Sequence, residues 1–185
     1  MIRISGGKKK GRTLLTLDDP DLRPTSGKVR EALFNILGEK IIGIRFLDLF
    51  AGSGLVGIEA LSRGAAHSTF IEKDSHHFKL LRKNVERIQF QNDATLIEID
   101  ALKFVKSPSR FDLVFVDPPY ASKLLEKILP ALGGSDMIEK GGMIIVEHFK
   151  KLKLNPVYGR FSLLRSYSYG DTFLSIFQAS EEEDS

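Results

Sequence analysis

The chain predicts an α/β fold: a mostly parallel sheet covered by helices on both faces and closed by a C-terminal antiparallel hairpin. Three observations predict it. From Arg45 onward, strand-like apolar runs alternate with helical ones. A Gly-rich turn, AGSG, lies directly between the first of these strands and its helix. Two β-rich runs near the end, FSLLRSYSY and DTFLSIFQ, follow each other across Gly170-Asp171 with no helical pattern between them.

The elements follow in order. Short apolar runs at 2–5 and 13–17 flank GGKKKGR and predict a hairpin with a cationic tip. Thr25 or Ser26 can cap a helix whose Val29, Leu33, Ile36 and Leu37 share one face, with Lys28, Arg30 and Asn35 on the polar face and Gly38 placed to end it. RFLDLF then reads as a strand and LVGIEALSRG as its helix. STFIE precedes a helix opened by Asp74, with Phe78, Leu81, Val85 and Ile88 turned inward. TLIEI and FDLVFV are further strands, then comes a helix bearing Leu124, Leu125, Ile128 and Leu132, and GMIIVEH is the next strand. Residues 1–39 form a basic hairpin-helix extension, 40–180 a core and 181–185 a frayed acidic tail, all within one compact domain.

Composition narrows the possible functions. Hydrophobic residues at 42% and charged ones at 28% are the proportions of an ordinary globular chain. Cysteine is absent, which excludes disulfides and thiolate metal sites. The four histidines, His67, His76, His77 and His148, show no metal-ligand spacing and read as surface or structural. No apolar run of 18 residues occurs and the N-terminus has no apolar core of a signal peptide, so cytoplasm is the expected location. Residues 1–30 hold eight Lys/Arg against three Asp, a balance of +5, and the remainder sums to −2. A field concentrated at one end suits a polyanion, because phosphate contacts release counterions. A solvated basic arm would show the same charge.

The crevice beyond the strand ends is the expected ligand site. Gly52, Gly54 and Gly57 spell G-x-G-x-x-G, with Glu72 ending the next strand, as a dinucleotide fingerprint would. Asp48 argues against a dinucleotide, since a carboxylate there repels pyrophosphate and attracts an ammonium or sulfonium. S-adenosylmethionine fits this charge: Glu72 can take its ribose hydroxyls and Asp100 its adenine amine. FDLVFVDPPY supplies the chemistry. Asp117 and the carbonyl of Pro118 can accept both hydrogens of an exocyclic amine, Pro119 stiffens the loop, and Tyr120 can stack on an extruded base.

RISGGKKKGR, LRPTSGKVREALFNIL, LDLFAGSGLVGIEALSRGA, FIEKD, FVDPPY and YGDT together resemble the bacterial 16S rRNA guanine-N2 methyltransferases of the RsmD family, nearly end to end. The glycine loop and DPPY are common to many methyltransferases, whereas the N-terminal blocks are specific. The resemblance implies a seven-stranded Rossmann-like methyltransferase acting on 16S rRNA or the 30S particle. It implies catalytic roles for Asp117, Pro118, Pro119 and Tyr120, and a methyl-donor site of Asp48, Phe50, Gly52, Ser53, Gly54, Glu72, Lys73, Asp100 and Ala101. It also implies RNA contacts by Arg3, Lys8, Lys9, Lys10, Arg12, Arg23, Thr25 and Arg30, the cations forming a ridge beside the crevice mouth. No metal is expected, and a monomer is, because no exposed apolar seam stands out. The rival readings are a DNA adenine-N6 methyltransferase, for which the chain has no added sequence-reading region, and a catalytically silent RNA-binding assembly factor.

Overall fold

The structure, a computed structural model, describes residues 2–16, 26–119 and 123–180. β1 (Ile2–Arg3) and β2 (Thr13–Leu14) form the N-terminal hairpin, with Ile2 opposite Leu14. Its strands are shorter than the apolar runs because Ile4 and Gly11 turn their bonds into the loop: Ile4 N–H donates to the Arg12 carbonyl and Gly11 N–H to the Ile4 carbonyl. α1 (Gly27–Leu37) begins at Ser26, whose Oγ accepts from Val29 N–H at 3.2 Å, and ends at Gly38.

The main sheet contains β3 (Arg45–Asp48), β4 (His67–Glu72), β5 (Ala94–Glu98), β6 (Phe111–Val116), β7 (Ile138–Phe149), β8 (Val157–Tyr158), β9 (Phe161–Tyr169) and β10 (Thr172–Ala179). Their spatial order is β5-β4-β3-β6-β7-β10-β9-β8. β3 to β7 run parallel, while β10 enters antiparallel to β7 and carries β9 beside it. The seven strands expected are thus present, and the two-residue β8 adds an edge that its brevity hid in the sequence. The helices are α2 (Leu55–Ser62), α3 (Ser75–Ile88), α4 (Ala101–Phe104) and α5 (Leu125–Gly133). α4, four residues long, gives no periodic signal and was not expected. The chain winds outward from β3 to β5, then returns to β6 on the other side of β3, so the topology switches between β3 and β6.

Side chains alternate across the sheet. Phe46, Phe70, Leu113, Phe115, Ile145 and Leu174 face the layer of α1, α2 and α3, whereas Leu47, Val114, Val116, Ile144 and Val146 face α4 and α5. Ile4 and Leu14 of the hairpin and Leu33, Phe34 and Leu37 of α1 join the first of these cores.

A buried charge cluster fastens that N-terminal layer. Glu59 on α2 is wholly buried and accepts from Arg30 Nε at 2.6 Å, from Arg63 Nη2 at 2.8 Å and from the hydroxyl of Ser5. Arg30, 4% exposed, also donates to the carbonyl of Arg3 at 2.8 Å. Arg30 therefore belongs to the packed flank of α1 and not to its polar face. Glu59, 29 residues further along the chain, could not be paired with it from helical periodicity alone. Replacing Glu59 with Ala leaves two guanidinium groups without their counter-charge, and a loss of about 3–5 kcal/mol in urea unfolding is expected. A loss under about 1 kcal/mol would show that the cluster is solvated and dispensable.

Candidate active site

The C-terminal ends of β3, β4 and β6 define a cleft, and backbone bonds fix their exits. Leu49 N–H donates to the Phe115 carbonyl at 3.0 Å and Ala51 N–H to the Ile71 carbonyl at 2.9 Å, so the glycine turn leaves β3 tied to both neighbours. Gly54 opens α2 with φ +82°, and a side chain there would sit 2.4 Å from Leu81 Cδ1. A Cβ at Gly57 would lie 2.3 Å from the Phe70 ring. Both glycines let α2 approach its neighbours closely; neither touches the cleft directly. Gly54, expected among the donor-binding residues, packs closely against Leu81 between the cleft-lining Ser53 and Leu55.

The cleft encloses about 250 Å³ and is lined by Asp48, Phe50, Gly52, Ser53, Glu72, Lys73, Asp100 and Ala101, together with Asp117, Pro118 and Pro119. Three acids at three strand exits face one space. Asp48 is 2% exposed and accepts from Gly57 N–H at 3.0 Å. Burial pushes its carboxyl up to about 7 against the pull of that amide, with the nearby Glu72 charge adding to the rise. Glu72 binds the turn itself, accepting from Gly52 N–H at 2.9 Å and Asp74 N–H at 2.8 Å. Asp100 caps α4 through the amide of Leu102 at 3.0 Å. A cap and a cleft-lining acid are therefore one residue here, because α4 starts at the rim.

Asp117 is half-buried, Pro118 buried and Pro119 exposed, at the end of β6 beside Asp48. Tyr120 lies outside the described residues. His77 also lines the cleft, from the first turn of α3, with Nδ1 3.8 Å from Asp74 Oδ1. It is a cleft residue, not merely a surface one; its place three residues past the strand-exit cap Asp74 was the available signal. Asn84 is wholly buried on α3: its Nδ2 donates to the carbonyls of Leu15 (3.0 Å) and Ser53 (2.9 Å), and its Oδ1 accepts from Leu15 N–H at 2.8 Å. This side chain links the N-terminal segment to the glycine turn, and a lone polar residue on an otherwise apolar helix face was the clue to it.

The cationic tip is not beside the cleft mouth. Lys8 N–H donates to the Ser62 carbonyl at 2.7 Å and Lys9 N–H to Ser62 Oγ at 2.9 Å, at the last residue of α2. α2 starts at the cleft and descends to the opposite edge of the sheet, five residues before β4 begins. Lys8 also reaches Asp93, just before β5, and lies 4.9 Å from the Phe90 ring centre. A six-residue strand spans about 20 Å, which separates Lys8, Lys9 and Lys10 from the mouth. Arg12 lies at that far end too, beside Arg87 at the foot of α3. Arg3 is exposed, and Arg30 is buried against Glu59 and has no phosphate-facing surface. Arg23 and Thr25 fall outside the described residues. Among the described residues no group of three or more His, Cys, Asp or Glu is placed to hold a metal, and no helix is long and apolar enough to cross a membrane.

This sheet order, with an acid-lined glycine turn and Asp-Pro-Pro ending the adjacent strand, defines the Rossmann-like, S-adenosylmethionine-dependent class of methyltransferases. An RNA methyltransferase of Salinibacter ruber in complex with S-adenosyl-L-homocysteine shares the fold, with TM-score 0.64 at 19% identity over 86% of this chain and 95% of that one. Residues 2–178 match the family described as Conserved hypothetical protein 95, and the chain belongs to it, the RsmD family. It is 37% identical over 185 residues to Ribosomal RNA small subunit methyltransferase D of Escherichia coli (strain K12), covering 100% of this chain and 93% of that one. The solved structure of Escherichia coli yhhF superimposes with TM-score 0.87 at 36% identity, covering 98% and 99% of the two chains.

The state of Asp48 has a measurable consequence. Its folded-state value, about 7, lies above the ordinary 3.8, so the folded chain holds this proton more tightly and loses stability as pH rises from about 4 to about 7. Asp48→Asn removes that loss. The variant should be the more stable chain at pH 8, by up to roughly 4 kcal/mol, and the difference should vanish near pH 4 in thermal melts. An equal effect at both pH values would contradict the buried, proton-holding carboxyl.

Proposed function

We propose that the chain methylates the exocyclic N2 amine of one guanine in 16S rRNA of the small ribosomal subunit, with S-adenosylmethionine as methyl donor. One observation carries this reading: Asp117 and Pro118 share a cleft with Asp48, Glu72 and Asp100. The donor fits what the residues demand, because a buried acid lifted toward neutrality is relieved by a cationic ligand. When bound, it supplies an electrophilic methyl group on a sulfonium.

The residues do the rest. Asp48 faces the positive charge, Glu72 accepts from ribose hydroxyls and Asp100 from the adenine amine. Ala101 and Phe50 enclose the purine. Asp117 and the Pro118 carbonyl each accept one hydrogen of the guanine amine and aim the nitrogen lone pair at the methyl carbon. Pro118 and Pro119 bring no backbone N–H to compete for that carbonyl. As the nitrogen–carbon bond forms and the carbon–sulfur bond breaks, the amine becomes acidic and its proton leaves to Asp117 or water. Tyr120 stacks on the extruded base. On this reading Lys8, Lys9, Lys10 and Arg12, with the exposed Arg3, meet phosphates well away from the target base, and the RNA contacts both the mouth and the far edge, about 20 Å apart. The relatives named for the small-subunit RNA support that substrate class.

Labelled methyl transfer to 30S particles, deproteinised 16S rRNA and duplex DNA tests the reading. Asp117→Ala should lower transfer by about 10²-fold or more while S-adenosylhomocysteine binding holds. Transfer to DNA alone would favour the adenine-N6 reading, and transfer to nothing the silent assembly factor. Reversing Lys10 and Arg12 to Glu should weaken 30S binding and flatten its salt dependence by about one unit of slope per lost phosphate contact, again with donor binding unchanged. An unaltered slope would remove the far edge from the RNA footprint.

A further inference from the structure

Glu147 is an acid that the steps above do not use. It lies in β7, 2% exposed, one residue past the last paired position of the β6–β7 ladder. Phe115 pairs with Ile145 and Val116 with Val146 along the parallel β6–β7 ladder. Phe115 and Ile145 face the α1–α3 layer, and Val116 and Val146 face the α4–α5 layer. Continuing the alternation by one residue brings Asp117 and Glu147 side by side on the α1–α3 face, at the cleft end of the sheet. Asp48 shares that face, one below Leu49 on β3, where it pairs with Phe115. On the other flank of β7, Leu174 of β10 pairs with Glu147 and belongs to the apolar core.

We infer that Glu147 is the specificity residue that reads the N1–H of the target guanine beside the amine held by Asp117. The inference rests on the guanine-N2 reading of this site. Guanine presents two adjacent donors on its Watson–Crick edge, the N2 amine and N1–H. Adjacent parallel strands stand about 4.8 Å apart, which lets two carboxylates at neighbouring strand positions meet neighbouring donors of one purine. Adenine presents an acceptor at N1, which a carboxylate repels. A buried polar group built to meet a donor rejects the analogue lacking it strongly, because its own partner is then missing. Asp117 alone gives no such discrimination, since adenine also carries an exocyclic amine.

The test uses 2-aminopurine, which keeps the N2 amine and has a bare N1 acceptor. Once the modified nucleotide is mapped, 16S rRNA is rebuilt by ligation with guanosine or 2-aminopurine at that position and assembled into 30S particles. Single-turnover methyl transfer is then measured for the full chain and for Glu147→Gln, whose amide can donate to a bare N1. The wild type should favour guanosine by about 10²-fold or more, and Glu147→Gln should cut that preference at least tenfold while binding S-adenosylhomocysteine as before. Equal losses on both bases, the result of a purely structural role, would overturn the inference and leave the guanine-N2 reading standing. A wild type that does not discriminate would overturn it as well, whatever the folding of the variant. No transfer by the wild type to either particle would overturn the proposed function and this inference with it.

Discussion

The lateral hydrogen bonding of β3 to β4 on one side and β6 on the other is the constraint from which the site follows. Those ladders place Asp48, Glu72 and Asp117 at the ends of three adjacent strands, facing one cleft where the winding of the chain reverses. No loop has to search for its position. Each turn leaves a strand whose neighbours are already paired, and the first of them is tied on both sides through Leu49 and Ala51. The acids inherit their spacing from the sheet, and the sheet is held by two apolar cores rather than by the acids.

Polarity inside that frame is concentrated in few places, and each does a definite job. Asp48 is kept in an apolar floor where its charge is unfavourable, a local loss of stability that the proposed cationic donor would relieve. Glu59 does the reverse: its charge is saturated by Arg30, Arg63 and Ser5, and it welds the N-terminal hairpin and α1 to the helix that leaves the glycine turn. Asn84 completes the connection from the other side by holding Leu15 and Ser53 together. The N-terminal layer is therefore mechanically continuous with the cleft although its cationic tip projects at the far edge.

The sequence disclosed the elements whose signals are local. Period-two and period-3.6 patterns gave the strands and the long helices, Ser26 and Asp74 announced helix starts through their side-chain oxygens, and strand-end acids pointed to one pocket. What it hid depends on partners distant in the chain. Arg30 looked solvent-facing because Glu59 is 29 residues away. Lys8, Lys9 and Lys10 looked like part of a ridge at the mouth because charge counting carries no address; only the bonds of Lys8 and Lys9 to Ser62, and of Lys10 to Gly7 in the same turn, send them to the opposite edge. Gly54 matched a phosphate-binding pattern while serving helix packing against Leu81. His77 and Asn84 carry roles set by tertiary placement, and α4 is too short to show a period.

The central claim is that a guanine amine is held between the Asp117 carboxylate and the Pro118 carbonyl, facing the donor's methyl-bearing sulfur. A structure of the chain on a 30S particle with S-adenosylhomocysteine tests it most directly. In that complex one guanine is expected to be turned out of its stack, with N2 about 2.6–3.2 Å from both oxygens and facing the donor sulfur. A base presenting another atom to Asp117, or Asp117 rotated away from the cleft in the complex, would contradict it.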